Sequence, residues 1–206
     1  MDNSKPNAFI SIPINNPKLC KNIVELQEAM IQHSPILKDY MQKEHSFHIT
    51  LDVHFISEQD LEKSKLALQA LGKEIEKDIL QNGPLCITIE GLKTFFNQVT
   101  PKVLYACIQR GEGLNRLHNW KRFQRRIFHE SHGLKSKAQH NWSPHITIAK
   151  MTLKDQHIPV ESFNNFKNNN FGVQEIESIE LRSMEEDETG EEISLKKFEL
   201  KHGSRM

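Results

Sequence analysis

The chain has 206 residues, 37% apolar and 26% charged, with a formal net charge of zero. That length suffices for one substantial core or two closely packed lobes, and the balanced charge disfavours bulk electrostatic binding to nucleic acid. Cys20, Cys86 and Cys107 are odd in number and form no CxxC pair, which argues against a disulfide framework and for a reducing compartment.

Ala8 to Ile14 alternates and predicts a first strand, with Pro13 marking an edge or an end. Asn16-Pro17 predicts an N-cap followed by proline at the first helical position, and Leu19, Ile23, Leu26 and Met30 form the stripe of that helix. Ser34-Pro35 breaks it, and a short segment from Ile36 to Met41 leads to a strand over Phe47 to Phe55. Ser57 to Asp60 resembles a capping box and opens a helix whose stripe is Leu61, Leu68, Leu71, Ile75 and Ile79, ended by Asn82-Gly83-Pro84. Leu85 to Glu90 predicts a strand interrupted by Gly91; Lys93 to Pro101 predicts a loop, and Val103 to Ile108 another strand. A helix after Gly113 carries Leu114, Leu117, Trp120, Phe123 and Ile127; a polar connection, His129 to Trp142, leads to a strand introduced by Pro144. Pro159 to Phe171 predicts a short helix and a loop, then Val173 to Met184 and Ile193 to Leu200 predict two strands. Between them, Glu185 to Glu192 is an acidic, solvated hairpin loop. There is no linker and no low-complexity segment, so residues 1–206 read as one domain. The mixture lacks strict strand–helix alternation and predicts an α+β fold with antiparallel sheets and helices packed outside.

One pattern occurs twice. His48-Ile49-Thr50-Leu51 recurs as His145-Ile146-Thr147-Ile148, 97 positions later (145 minus 48). From Phe47 to Phe55 the odd positions are apolar and the even ones polar, as a half-buried strand requires. His48 and Thr50 therefore share a face, as do His145 and Thr147. The spacing predicts two similar lobes, each giving one imidazole and one hydroxyl to a common cleft. Imidazole accepts or donates a proton near neutral pH, and a threonine two residues along can hydrogen-bond a phosphoryl oxygen. A lone strand histidine is usually structural; the duplication is what points to chemistry.

These paired motifs resemble those of the 2H phosphoesterases. The surroundings agree: the apolar strand Phe9 to Ile14, Ser46-Phe47 before the first motif, Ser143-Pro144 before the second, and Phe96-Asn97-Gln98-Val99 before the strand at Val103. Within that family the nearest likeness is to the central nucleotide-binding domain of A-kinase anchoring proteins, over about Ala8 to Leu200. The resemblance implies a bilobal, LigT-like fold: two pseudo-symmetric antiparallel sheets with outer helices around a central cleft. It implies His48 and His145 as the acid/base pair, Thr50 and Thr147 as phosphate ligands, and no metal or cofactor. It implies a nucleotide or short oligonucleotide substrate with 2′,5′- or 2′,3′-cyclic phosphodiester chemistry. The anchoring proteins carry a kinase-binding helix beyond this domain, and none is expected between Leu200 and Met206.

Other residues admit two readings. Phe95, Phe96, Tyr105 and Trp142 either stack on a base or belong to the core. Lys150 follows the second motif, but a regular strand would point it away from His145, so a phosphate contact needs a bend. Lys121 to Arg126 is either a solvated helix face or a nuclear or RNA-binding address. His129, His132 and His140 have no cysteine or carboxylate spacing that supports zinc. Asp52 and His54 share the polar face of His48 on a regular strand and either orient it or are solvated. No run approaches a membrane span, and the N-terminus has no signal-peptide pattern. The expectation is a monomer of the cytoplasm, or also of the nucleus, acting as a metal-independent phosphodiesterase. The alternatives are a non-catalytic AMP-type sensor or RNA adaptor using the same cleft, or an interaction protein with coincidental motifs.

Overall fold

The computed structural model describes residues 5–95, 99–136, 142–154, 156–188, 190 and 192–201. Among these residues eight strands form a single antiparallel sheet: β1 Ala8–Pro13, β2 His48–His54, β3 Cys86–Phe95, β4 Val103–Ile108, β5 His145–Lys150, β6 Asn170–Glu175, β7 Ser178–Glu186 and β8 Glu192–Glu199. Their order is β6-β3-β4-β5-β2-β1-β7-β8. The two motif strands lie side by side at its centre, and a four-stranded half extends from each. Ile49 opposite Ile146 is the one residue pair joining β2 to β5 among the described residues. The predicted pair of sheets is thus two halves meeting at a narrow seam.

Helices α1 (Pro17–His33), α2 (Leu61–Asn82) and α3 (Glu112–Arg125) form where their stripes predict. Asn16 caps α1 through its side-chain oxygen, which accepts from the backbone N–H of Lys18 and Leu19. Leu19, Ile23, Leu26 and Met30 are buried, each contributing about 1.5–3 kcal/mol of transfer free energy. Helix α2 packs on β7 and β8, and α3 on β2 and β3. Gly72 of α2 lies tight against β8, where an added Cβ would come 2.3 Å from the Phe198 ring.

Three expectations change. Gly91 does not end a strand: with φ of 82° it sits at an irregularity inside β3, which continues through Lys93 to Phe95. Val173 to Met184 is two strands, because the chain breaks register at Ile176–Glu177 and crosses from β6, on one edge, to β7, in the other half. Six strand spacings in a flat sheet would separate them by about 29 Å. Two linking residues span only about 10 Å, so the sheet is wound strongly on itself. Finally, β2 does not alternate to its end. Ser11 pairs with Thr50 but Ile10 pairs with Asp52, so Leu51 is a bulge. Beyond it the faces exchange. Asp52 and His54 turn to the helix side and are buried, while Val53 takes the side of His48.

Candidate active site

The second motif strand carries the same irregularity at the same place. Tyr105 pairs with Thr147 and Leu104 with Ala149, leaving Ile148 as the bulge. In each copy the bulged residue directly follows the His-x-Thr unit. This is the bend Lys150 required: it turns the exposed Lys150 onto the face of His145.

Extending the register of Ile49 and Ile146 by one residue each way sets His48 across from Thr147 and Thr50 across from His145. The four side chains occupy the corners of a quadrilateral on one face, with the imidazoles on a diagonal. Diagonal cross-strand neighbours lie about 7–8 Å apart, a separation that admits a phosphate between the rings. Both rings are oriented identically. His48 Nδ1 lies 2.8 Å from the Ser46 carbonyl, and His145 Nδ1 lies 2.8 Å from the Ser143 carbonyl. A carbonyl only accepts, so each Nδ1 carries hydrogen and each Nε2 stays outside that bond. Aromatic rings from the neighbouring strands back them: Phe9 lies 5.1 Å from His48, and Tyr105 lies 5.0 Å from His145. Phe95 stacks on Tyr105 at 4.3 Å and meets His145 edge-on.

Burial lowers both imidazoles below their ordinary value. For His48 the Ser46 carbonyl and Glu192 act upward, while Arg182 and the second imidazole act downward. For His145 the Ser143 carbonyl acts upward against burial.

Segments outside the sheet hold the ends of the seam. At one end, the Gln42 N–H donates to the Ile148 carbonyl. At the other, Trp142 Nε1 donates to the Thr50 carbonyl at 3.0 Å, tying the approach to the second motif onto the backbone of the first. Trp142 also meets His118 edge-on. Both line a cavity of about 500 Å³ beside His145, whose wall includes Tyr105, Ser143 and Pro144. Phe96 and His140 lie outside the described residues.

Behind the sheet, Asp52 is 2% exposed and pairs with Lys121 at 3.0 Å, with the rings of His54 and His129 lying 3.6 and 3.8 Å from its carboxylate. Lys121 therefore points inward, and the basic run around it is not one solvated face. Arg126 pairs with Glu74. His132 bonds the Ile127 carbonyl. Among the described residues no group of three or more His, Cys, Asp or Glu is arranged to hold a metal ion, and no helix is long and apolar enough to cross a membrane.

Sequence pattern marks Phe95, Tyr105 and Trp142 only as base-stacking candidates; it does not show that Phe95 and Tyr105 back the His145 ring or that the Trp142 N–H reaches the Thr50 carbonyl. The signal present is the serine two residues before each histidine, whose carbonyl orients the ring.

Twin His-x-Thr strands at the seam of a wound antiparallel sheet, with helices behind, define a 2H phosphoesterase. Residues 6–192 match the AKAP7 2′5′ RNA ligase-like domain, and the chain belongs to that family. It is 31% identical over 188 residues to the Homo sapiens A-kinase anchor protein 7 isoform gamma, an overlap of 87% of this chain and 52% of that protein; the chain thus spans about half the length of this relative. The fold is similar to TT0787 of Thermus thermophilus, with TM-score 0.65 and 19% identity over 96% of this chain and 99% of that one. It is also similar to E. coli LigT complexed with 3′-AMP, with TM-score 0.62 and 18% identity over the same shares, 96% and 99%.

Proposed function

We propose that this protein is a metal-independent phosphodiesterase that cleaves 2′,5′-linked oligonucleotides or related cyclic phosphodiesters. The observation that carries the reading is the diagonal pair of imidazoles, each with Nδ1 committed to a backbone carbonyl and Nε2 left for substrate. The nucleotide held by LigT supports a nucleotide ligand.

One neutral imidazole takes the proton of the ribose 3′-hydroxyl. That oxygen attacks phosphorus, the P–O5′ bond breaks, and the second, protonated imidazole gives its proton to O5′. The products are a 2′,3′-cyclic phosphate and a free 5′-hydroxyl. Thr50 and Thr147 donate to the non-bridging oxygens as charge moves onto them. Either histidine can serve as base, since both are presented alike.

The test is turnover of 2′,5′-diadenylate, 3′,5′-diadenylate and 2′,3′-cyclic phosphates by the purified protein, with and without EDTA, followed by chromatography. We expect cleavage of the 2′,5′-linkage that survives EDTA and falls by about 10²–10⁴-fold in His48→Ala and in His145→Ala. The double variant should lose less than the product of the two losses, because the groups act together. Tight nucleotide binding with no turnover would overturn the enzyme reading in favour of a sensor or adaptor.

A further inference from the structure

The two halves match in strands but not in charge. Across the first half, Thr50 faces Ser11, Ser11 faces Glu180, and Glu180 faces Lys197. Across the second, Thr147 faces Tyr105 and Tyr105 faces Lys93. Directly opposed residues share a sheet face, so both rows lie on the face of the imidazoles. Glu180 thus occupies in one half the place that Lys93 occupies in the other.

Neighbouring side chains sharpen the contrast. In the first half the cations are spent internally. Arg182 donates to the Glu192 carbonyl at 2.7 Å and lies 3.6 Å from its carboxylate and 3.9 Å from that of Glu180, while Lys197 pairs with Glu199 at 2.7 Å. The β7–β8 hairpin beyond them is acidic through Glu185, Glu186 and Glu192. In the second half, Lys93, Arg110 and Lys167 are exposed, line the 500 Å³ cavity, and have no acidic partner among the described residues. Glu90, in the same wall, is bonded instead by the amides of Gln109 and Asn170. Lys93 stands two strands from Thr147, about 10 Å at about 4.8 Å per strand.

Resting on the phosphodiesterase reading, we propose that this cavity is a subsite for a second, non-scissile phosphate of the oligonucleotide. The substrate then runs from the scissile phosphate toward the His145 side only. The His48 side rejects a further phosphate, because its cations are paired and its rim is acidic.

The test uses 2′,5′-dinucleotides lacking the attacking 3′-hydroxyl, so that binding is measured apart from turnover. Three forms are titrated calorimetrically: unmodified, with an added 5′-terminal phosphate, and with an added phosphate on the opposite end. One added phosphate, and not the other, should tighten binding by about tenfold, as charge-assisted bonds do. The gain should shrink as salt rises and vanish in Lys93→Gln/Lys167→Gln, whose fold is checked by circular dichroism. Equal effects of both phosphates, a gain that survives in the variant, or no binding of any form would overturn the subsite. If the preference appears but the ribose forms are not cleaved, the subsite stands and the phosphodiesterase reading falls.

Discussion

Trp142→Phe removes one N–H and keeps most of the ring. In the wild-type chain that N–H donates to the Thr50 carbonyl at 3.0 Å, at the end of the β2–β5 seam where ladder pairing has stopped. Loss of a single neutral hydrogen bond costs about 0.5–1.5 kcal/mol. For a chain of this size each 1 kcal/mol lowers Tm by about 2–4 °C, so the midpoint should fall by about 1–6 °C. Turnover should suffer more than stability. The bond fixes the corner shared by Thr50 and His145, and a displacement near 1 Å in a catalytic constellation costs about 10²-fold. Circular dichroism melts and steady-state kinetics on 2′,5′-diadenylate measure the two effects. A variant with wild-type Tm and wild-type kcat would refute the claim that this bond holds the halves in register.

Because burial holds both imidazoles below their ordinary 6.5, kcat/KM should trace a bell whose maximum lies below that pH. Activity is lost upward as the acid gives up its proton and downward as the base gains one, and a flat profile from pH 5 to 8 would contradict paired roles. His54 is pushed down to about 4, chiefly by burial. It is neutral in both states above pH 6.5, and as pH falls below that the unfolded chain binds the proton first, so stability drops until about pH 4. In His54→Gln the loss between pH 7 and pH 5, read by urea denaturation, should be smaller by about 2 kcal/mol, 1.5 pH units at about 1.36 kcal/mol each; an unchanged slope would show that His54 does not titrate this way. Lys121→Met strands the carboxylate of Asp52 behind the sheet and should cost about 3–5 kcal/mol, part of it recovered by adding Asp52→Asn; a cost under about 1 kcal/mol in guanidinium denaturation would contradict that pairing.

The helices and the motif pair were legible because their signals are local. The 3.6-residue stripe of α1 and the His-x-Thr spacing are complete within a few residues of chain. The bulge at Leu51 was not, since Leu-Asp-Val-His continues the alternation of the preceding residues while the backbone slips one position against β1. Ile176–Glu177 contains neither glycine nor proline, so nothing in the residues announces the crossing between halves. The indole bond to Thr50 spans 92 positions. Whether a lysine is paired or free depends on partners equally remote, which is why a chain of zero net charge reads as featureless although its two halves differ in charge.

Strand order carries a consequence for how the chain is made. The second half, β3 through β6, is one unbroken stretch, whereas the first half takes β1 and β2 from the beginning and β7 and β8 from the end. Emerging from the ribosome, the inner half can assemble as soon as residue 175 is out. Until β7, Ser178–Glu186, follows, β1 has β2 on one side and no strand on the other, and five of its six residues are buried in the finished fold. Such an apolar open edge is a template for pairing with other chains, and contacts this distant in sequence form slowly. β7, made well after β1, is therefore the cover for its open side, and a chain arrested before Ser178 would present that edge permanently.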